Sequence, residues 1–399
     1  MIVLRKPLSI VLFVLVFFSF FGIYPIKNTL LLTLLLPFII WGLRNEKLYF
    51  RNTLLVLFLS LFANMVSCNI YHDQSISDSI KALAFYYYIF FYFALCYIRP
   101  TAKNIDKALG ILCLIFNALY IVQFYLLPMG IVFLPVDETS IYLEEGARFH
   151  MIGSGLASLS IFLGVNQFLS KRRYIYLLLA ASGLLVLVLM AFRTMVVLSV
   201  MFIIYELFLV KGAKKSSFIY LALFALIMLL LLQIPVVADK IDYMWEKQFG
   251  EGTQHSFANK DYIRWITLDY YYNSYFHDKI ELFLGSGYPV VNGSYYKNIE
   301  NSLWANGIFW MDWGILGLTW MIGIPAVLAM LYYCYKVFRI RIDKNYYYLP
   351  VWFFYLLCSS ITTAEFFRQG NFIIQALCLY LAERIYLDNK LKIKKCSQS

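Results

Sequence analysis

Long apolar runs separated by short charged clusters make up most of this 399-residue chain. At about 20 apolar residues per membrane crossing, fewer where charged ends snorkel, the pattern predicts a series of spanning helices. They fall near 8–24, 29–43, 53–70, 82–98, 108–127, 151–169, 174–191, 194–210, 218–237, 303–335, 346–362 and 371–387. The expected fold class is an all-α polytopic membrane protein with about 12 transmembrane helices. One long polar interval, from Asp239 to about Ser302, interrupts the series with six Lys/Arg, nine carboxylates and fifteen aromatic residues. Disordered segments are poor in aromatics, so this insert is expected to fold. The organisation that follows is transmembrane helices one to nine in 1–237, an insert in 238–302, and helices ten to twelve with a basic tail in 303–399.

Residues 174–210 are nearly unbroken, with Arg193-Thr194 as the one pair of adjacent polar residues. As one helix they would run roughly 55 Å, against a hydrocarbon core of about 30 Å. Two helices joined by a tight turn resolve this and place Arg193 at the turn. With the N-terminus set in the cytoplasm and the crossings alternated, 23 of the 34 Lys/Arg fall on the cytoplasmic side, and 6 of the other 11 lie in the insert. This agrees with the positive-inside rule and puts the insert outside, with both termini cytoplasmic.

Composition supports that layout. The chain is 62% hydrophobic and 14% charged, where soluble domains carry about a quarter charged residues. The net charge of +11 is spread over short clusters at helix ends, which argues against a nucleic-acid groove. The seven cysteines lie mostly in apolar runs without paired short spacing, as packing residues do. No HExxH, CxxC, EF-hand or Walker pattern occurs, so neither a metal nor a nucleotide cofactor is indicated.

Four places could carry chemistry. Arg193, between two apolar helices, is either an anion clamp, whose forked donors match phosphate oxygens, or an interfacial anchor. Arg264, near the start of a helix in the insert, would add its charge to free backbone N–H groups, or would lie on a solvated face. Arg148 and His150 follow the acidic pair Glu144-Glu145 and precede Gly153-Ser154-Gly155. Glu300 and Asp312 are candidate bases, Asp312 lying within an apolar segment where a carboxylate needs a partner. Trp265, Tyr271 and Tyr288 are rings of the aromatic-rich insert that could form part of a binding surface.

In order and spacing these features resemble the O-antigen polymerase and ligase superfamily of bacterial integral membrane glycosyltransferases. The resemblance is carried by Arg193-Thr194 at an outer junction, Arg264-Trp265, the segment Leu282-Phe283-Leu284-Gly285-Ser286-Gly287-Tyr288, and Gly314-Ile315-Leu316-Gly317-Leu318. It covers roughly 148–320. Phe192 stands where the family's turn carries a serine. The ligases resemble one another in a His-Asn pair before the Gly-x-x-Gly helix; here that region reads Glu300-Asn301-Ser302-Leu303-Trp304, which favours a polymerase.

The resemblance implies an enzyme of the bacterial cytoplasmic (inner) membrane that joins undecaprenyl-diphosphate-linked oligosaccharide repeats into O-antigen or capsule-type polysaccharide. Arg193 and Arg264 would bind the diphosphate, and Glu300 or Asp312 would act as base. A chain-length regulator and a flippase of the same pathway are candidate partners. Two alternatives are an O-antigen ligase, which differs in the acceptor, and a lipid-linked oligosaccharide flippase. The flippase would need charges along a central cavity, whereas the polar residues here concentrate in one insert.

Overall fold

The computed structural model describes residues 28–132, 149, 151–212, 214–249, 263–361 and 363–396. The helix expected at 8–24, and both Arg148 and His150, lie outside the described residues. The described chain is all-helical. Helices α1 (Asn28–Arg44), α2 (Arg51–His72), α3 (Ile76–Ala82), α4 (Phe91–Ile98) and α5 (Ala102–Leu126) come first. Then follow α6 (Gly155–Lys171), α7 (Tyr174–Leu189), α8 (Arg193–Lys211), α9 (Lys215–Leu232) and α10 (Pro235–Phe249). The insert continues with α11 (Ile263–Tyr270), α12 (Lys279–Leu284) and α13 (Ser294–Ser302). Last come α14 (Gly314–Ile322), α15 (Ile324–Arg339), α16 (Tyr348–Ser359) and α17 (Asn371–Cys396).

The centre of the bundle is α6, buried at every position from Gly155 to Leu169. Its small residues let neighbours approach closely, as in membrane helix packing. A Cβ on Gly183 of α7 would stand 2.0 Å from Ser160 Oγ. Asn117 of α5 donates to both Ser160 (3.0 Å) and Ser182 (2.9 Å), tying three helices with hydrogen bonds where no water competes.

Among the described residues, Arg51–His72, Ala102–Met129 and Arg193–Lys211 are long and apolar enough to cross a membrane. A fourth span would be the pair Ile76–Ala82 and Ala84–Ile98, bent by 68°. Among the described residues, the other crossings expected from hydropathy do not form as helices both long and apolar enough to cross alone. At 1.5 Å per residue, α6, α7 and α16 reach only about 26, 24 and 18 Å. The expected helix 303–335 is broken into turns at 304–306 and 310–313 and then α14 and α15. The physical reason is backbone: Gly314 and Gly323 have φ of +51° and +87°, and Pro325 lies two residues after Gly323. The turn at 174–210, by contrast, forms as expected, with α7 ending at Leu189 and Arg193 opening α8.

Contacts sort the helix ends into two sets. At one end lie the basic clusters. Lys211 Nζ donates to Leu169 O (2.6 Å), Asn166 Nδ2 to Lys344 O (3.0 Å), Lys336 Nζ to Tyr49 O, and Lys171 faces Asp106 at 4.0 Å. At the other end lie the insert and the loops carrying the candidate chemistry. The Leu282–Tyr288 segment is sewn there into a notch beside α2 and α14. Asn64 Nδ2 donates to Leu284 O and Met321 O (both 2.8 Å), Ser67 Oγ to Gly285 O (2.8 Å), and Gly287 N to Met321 O (2.9 Å).

Candidate functional site

The loop between α16 and α17 organises the site, and local chemistry explains its shape. Ser360 ends α16 and serves two neighbours: its carbonyl accepts from Ile315 N (2.8 Å) and its hydroxyl from Phe366 N (2.6 Å). Gln375 holds the loop from below, donating to Phe366 O at 2.6 Å and accepting from the Tyr333 hydroxyl. Phe367 stacks on Trp310 with centroids 5.4 Å apart, so the 310–313 turn rests directly on this loop. On its other side the loop meets the start of α6, where Gly153 N donates to Gln369 O (3.0 Å) and Gly155 N to Asn371 Oδ1 (2.9 Å).

Two arginine-bearing centres flank the loop. In the first, Arg264 lies half-buried in the first turn of α11 and its charge acts on Asp312 in the 310–313 turn. Trp313 Nε1 donates to Arg264 O (2.9 Å), and Trp265 leans on Trp313 with centroids 5.7 Å apart. Burial raises the Asp312 carboxyl above the usual range, and Arg264 offsets part of that rise. In the second centre, Arg193 is the exposed first residue of α8, where free backbone N–H groups add to its charge. The ring of the preceding Phe192 lies under the Arg368 guanidinium at 4.7 Å. Arg368 in turn stands 3.7 Å from the fully buried carboxylate of Glu365, which Ser154 Oγ and Asn371 Nδ2 also approach.

The remaining expected residues scatter. Glu300 is exposed on α13. Tyr271 is fully buried and stacked on Trp320 at 4.4 Å, which makes it a packing residue that offers no face to a ligand at the surface. Tyr288 is half-buried, edge-on to Trp310 at 5.4 Å, and lines the wall beneath the loop. Trp265, 38% exposed, is the expected ring that does present a surface.

Sequence reasoning missed the Glu365–Arg368 pair, although a Glu and an Arg in a short turn between two apolar helices were there to be seen. It also missed a clasp holding the insert. The buried Glu281 carboxylate accepts from His72 (2.7 Å) and from both the backbone N (2.7 Å) and Nδ1 (2.8 Å) of His277. Burial pushes Glu281 up, but these hydrogen bonds outweigh it and hold the carboxyl below its ordinary value. Among the described residues, no three His, Cys, Asp or Glu side chains are placed to share a metal ion.

One end of the helical bundle thus gathers guanidinium groups, buried carboxylates and partly exposed aromatic rings. Such a surface can hold a multiply charged anion and place a proton acceptor beside it. Compared with family models, with curated proteins and with solved structures, the chain matches none.

Proposed function

We propose that this chain is a polysaccharide polymerase, joining oligosaccharide repeats carried on a polyprenyl diphosphate at the outer face of a bacterial cytoplasmic membrane. The observation that carries the reading is the placement of Arg264 and Arg193, the latter beside Arg368, on either side of one loop at the end of the bundle opposite the basic clusters. Under the positive-inside rule that end is the outer one, and both termini are cytoplasmic. In this reading the short and broken helices complete their crossings together, giving about twelve in all.

The chemistry asks little of the protein, because diphosphate is already a good leaving group at the donor's anomeric carbon. The arginines stabilise the negative charge that grows on it, an electrostatic term that is often the largest in such sites. A carboxylate takes the proton of the acceptor hydroxyl. Trp265 and neighbouring rings give the sugars apolar faces to rest on, and the bilayer holds the lipid tail.

Surface glycan from a strain lacking the protein tests this on one gel. A polymerase leaves products carrying a single repeat. Long chains that stay unattached would instead mean a ligase, and repeats accumulating in the cytoplasm a flippase; either result overturns the proposal.

A further inference from the structure

Glu365 sits in an unusual state for a buried carboxylate. Its side chain is fully buried, yet among the described residues no side-chain contact to its oxygens is shorter than 3.3 Å. Ser154 Oγ reaches both oxygens at 3.3 Å, Asn371 Nδ2 reaches Oε1 at 3.3 Å, and Arg368 Nε stands 3.7 Å from Oε2. Charge-assisted bonds normally close to about 2.7–2.9 Å. Arg368 is 18% exposed and lies with its guanidinium over Phe192, one residue from Arg193. It is therefore a cation placed between a buried carboxylate and the arginine-bearing outer turn, in contact with the Phe192 ring and at 3.7 Å from the carboxylate.

Building on the polymerase reading, we propose that the donor diphosphate draws Arg368 away from Glu365, and that Glu365, so released, takes the proton of the acceptor hydroxyl. The acceptor oxygen forms the new bond to the donor's anomeric carbon. The bond from that carbon to the diphosphate oxygen breaks, and its electron pair leaves on the diphosphate, where Arg368 and Arg193 receive the charge. The hydroxyl proton goes to a Glu365 oxygen and then to water. Donor binding and base strength are coupled by one side chain, so the carboxylate becomes a good base only when a donor is in place.

Electrostatics at the loop support this order of events. Burial pushes the Glu365 carboxyl up, and Arg368, then Asn371 and Ser154, pull it down. Moving the cation away strengthens the base. Among the described residues, the charged or titratable groups facing Glu365 are Arg368 on its own loop and Tyr355 on α16, while α6 and α17 present only the uncharged Ser154 and Asn371. Asp312 differs in lying in the 310–313 turn, where the Arg264 charge acts on it.

The test is a rate measurement with purified full-length protein and a lipid-diphosphate-linked oligosaccharide repeat, varied in concentration and pH. Glu365→Gln keeps the shape and the Ser154 contact but cannot take the proton. It should lower the donor KM, because Arg368 no longer has a carboxylate to leave, lower kcat by about a hundredfold or more, and abolish the acid limb of the pH profile. Arg368→Lys should raise the donor KM as well as lower kcat, because a point charge replaces the fork. If Glu365→Gln does not reach the membrane, Glu365→Asp takes its place, with kcat reduced and the acid limb kept. A Glu365→Gln protein with wild-type kcat and an unchanged acid limb, or a Glu365→Asp protein without one, overturns the assignment while leaving the polymerase reading standing. A wild-type protein that joins no repeats overturns both.

Discussion

Replacing Arg193 or Arg264 by lysine is expected to leave a folded, membrane-inserted protein that makes almost no chains longer than one repeat. Neither position lies in the core: Arg193 is exposed at the start of α8, and Arg264 is half-buried at the start of α11. Lysine keeps the charge but loses the planar fork that matches two phosphate oxygens at once. Loss of one preorganised donor to developing negative charge typically costs about a hundred- to a thousandfold in rate. The double variant should be little worse than either single one, since groups that act as a unit are not additive. Chain length on a glycan gel, at matched protein level, reads the result. Normal chains from Arg264→Lys would make that residue an ordinary helix-surface charge, and normal chains from Arg193→Lys would make it a membrane anchor.

A second large effect is expected from a single methyl group. Gly314 has φ of +51°, and a Cβ there would stand 1.9 Å from the Ser360 carbonyl oxygen and 3.0 Å from that of Thr363. That carbonyl of Ser360 is the acceptor for Ile315 N, so the methyl would wedge α14 away from the loop that carries Glu365 and Arg368. Backbone strain of about 1–3 kcal/mol adds to an overpacking cost of about 1–3 kcal/mol. Gly314→Ala should therefore unfold several degrees earlier in detergent and lose most chain extension. Gly110→Ala is the control: its Cβ would meet only a Leu163 methyl at 4.0 Å, and it should melt at or above the wild-type temperature. Equal melting of the two variants would show that the α14–loop contact bears little of the site.

Much of the fold was legible because hydropathy marks the apolar helices, and the turn at Arg193 was legible because a largely apolar run of 37 residues exceeds one bilayer. The break-up of 303–335 was harder. Its signals, Gly314, Gly323 and Pro325, lie in a run whose hydrophobicity alone calls for one helix, and the decisive fact is a positive φ required by a backbone neighbour 46 residues away. Tyr271 reads as a surface ring because its sequence neighbours are polar; that it stacks on Trp320 depends on how the insert folds back. The nearness of Arg264 to Asp312, and of Phe192 to Arg368, arises where separate helix ends meet. Local periodicity carries no record of such meetings, so Arg193, Arg264 and Asp312 could be named singly while Glu365 and Arg368 went unnoticed.

The most direct measurement reconstitutes the purified protein into lipid vesicles with polyprenyl-diphosphate-linked repeats and follows the glycan by length. A polymerase yields a ladder of repeat multiples, each still joined to lipid diphosphate at one end, with one polyprenyl diphosphate released for every bond made. Repeats recovered at their original length, whether left in place or carried across the bilayer, would contradict the proposal.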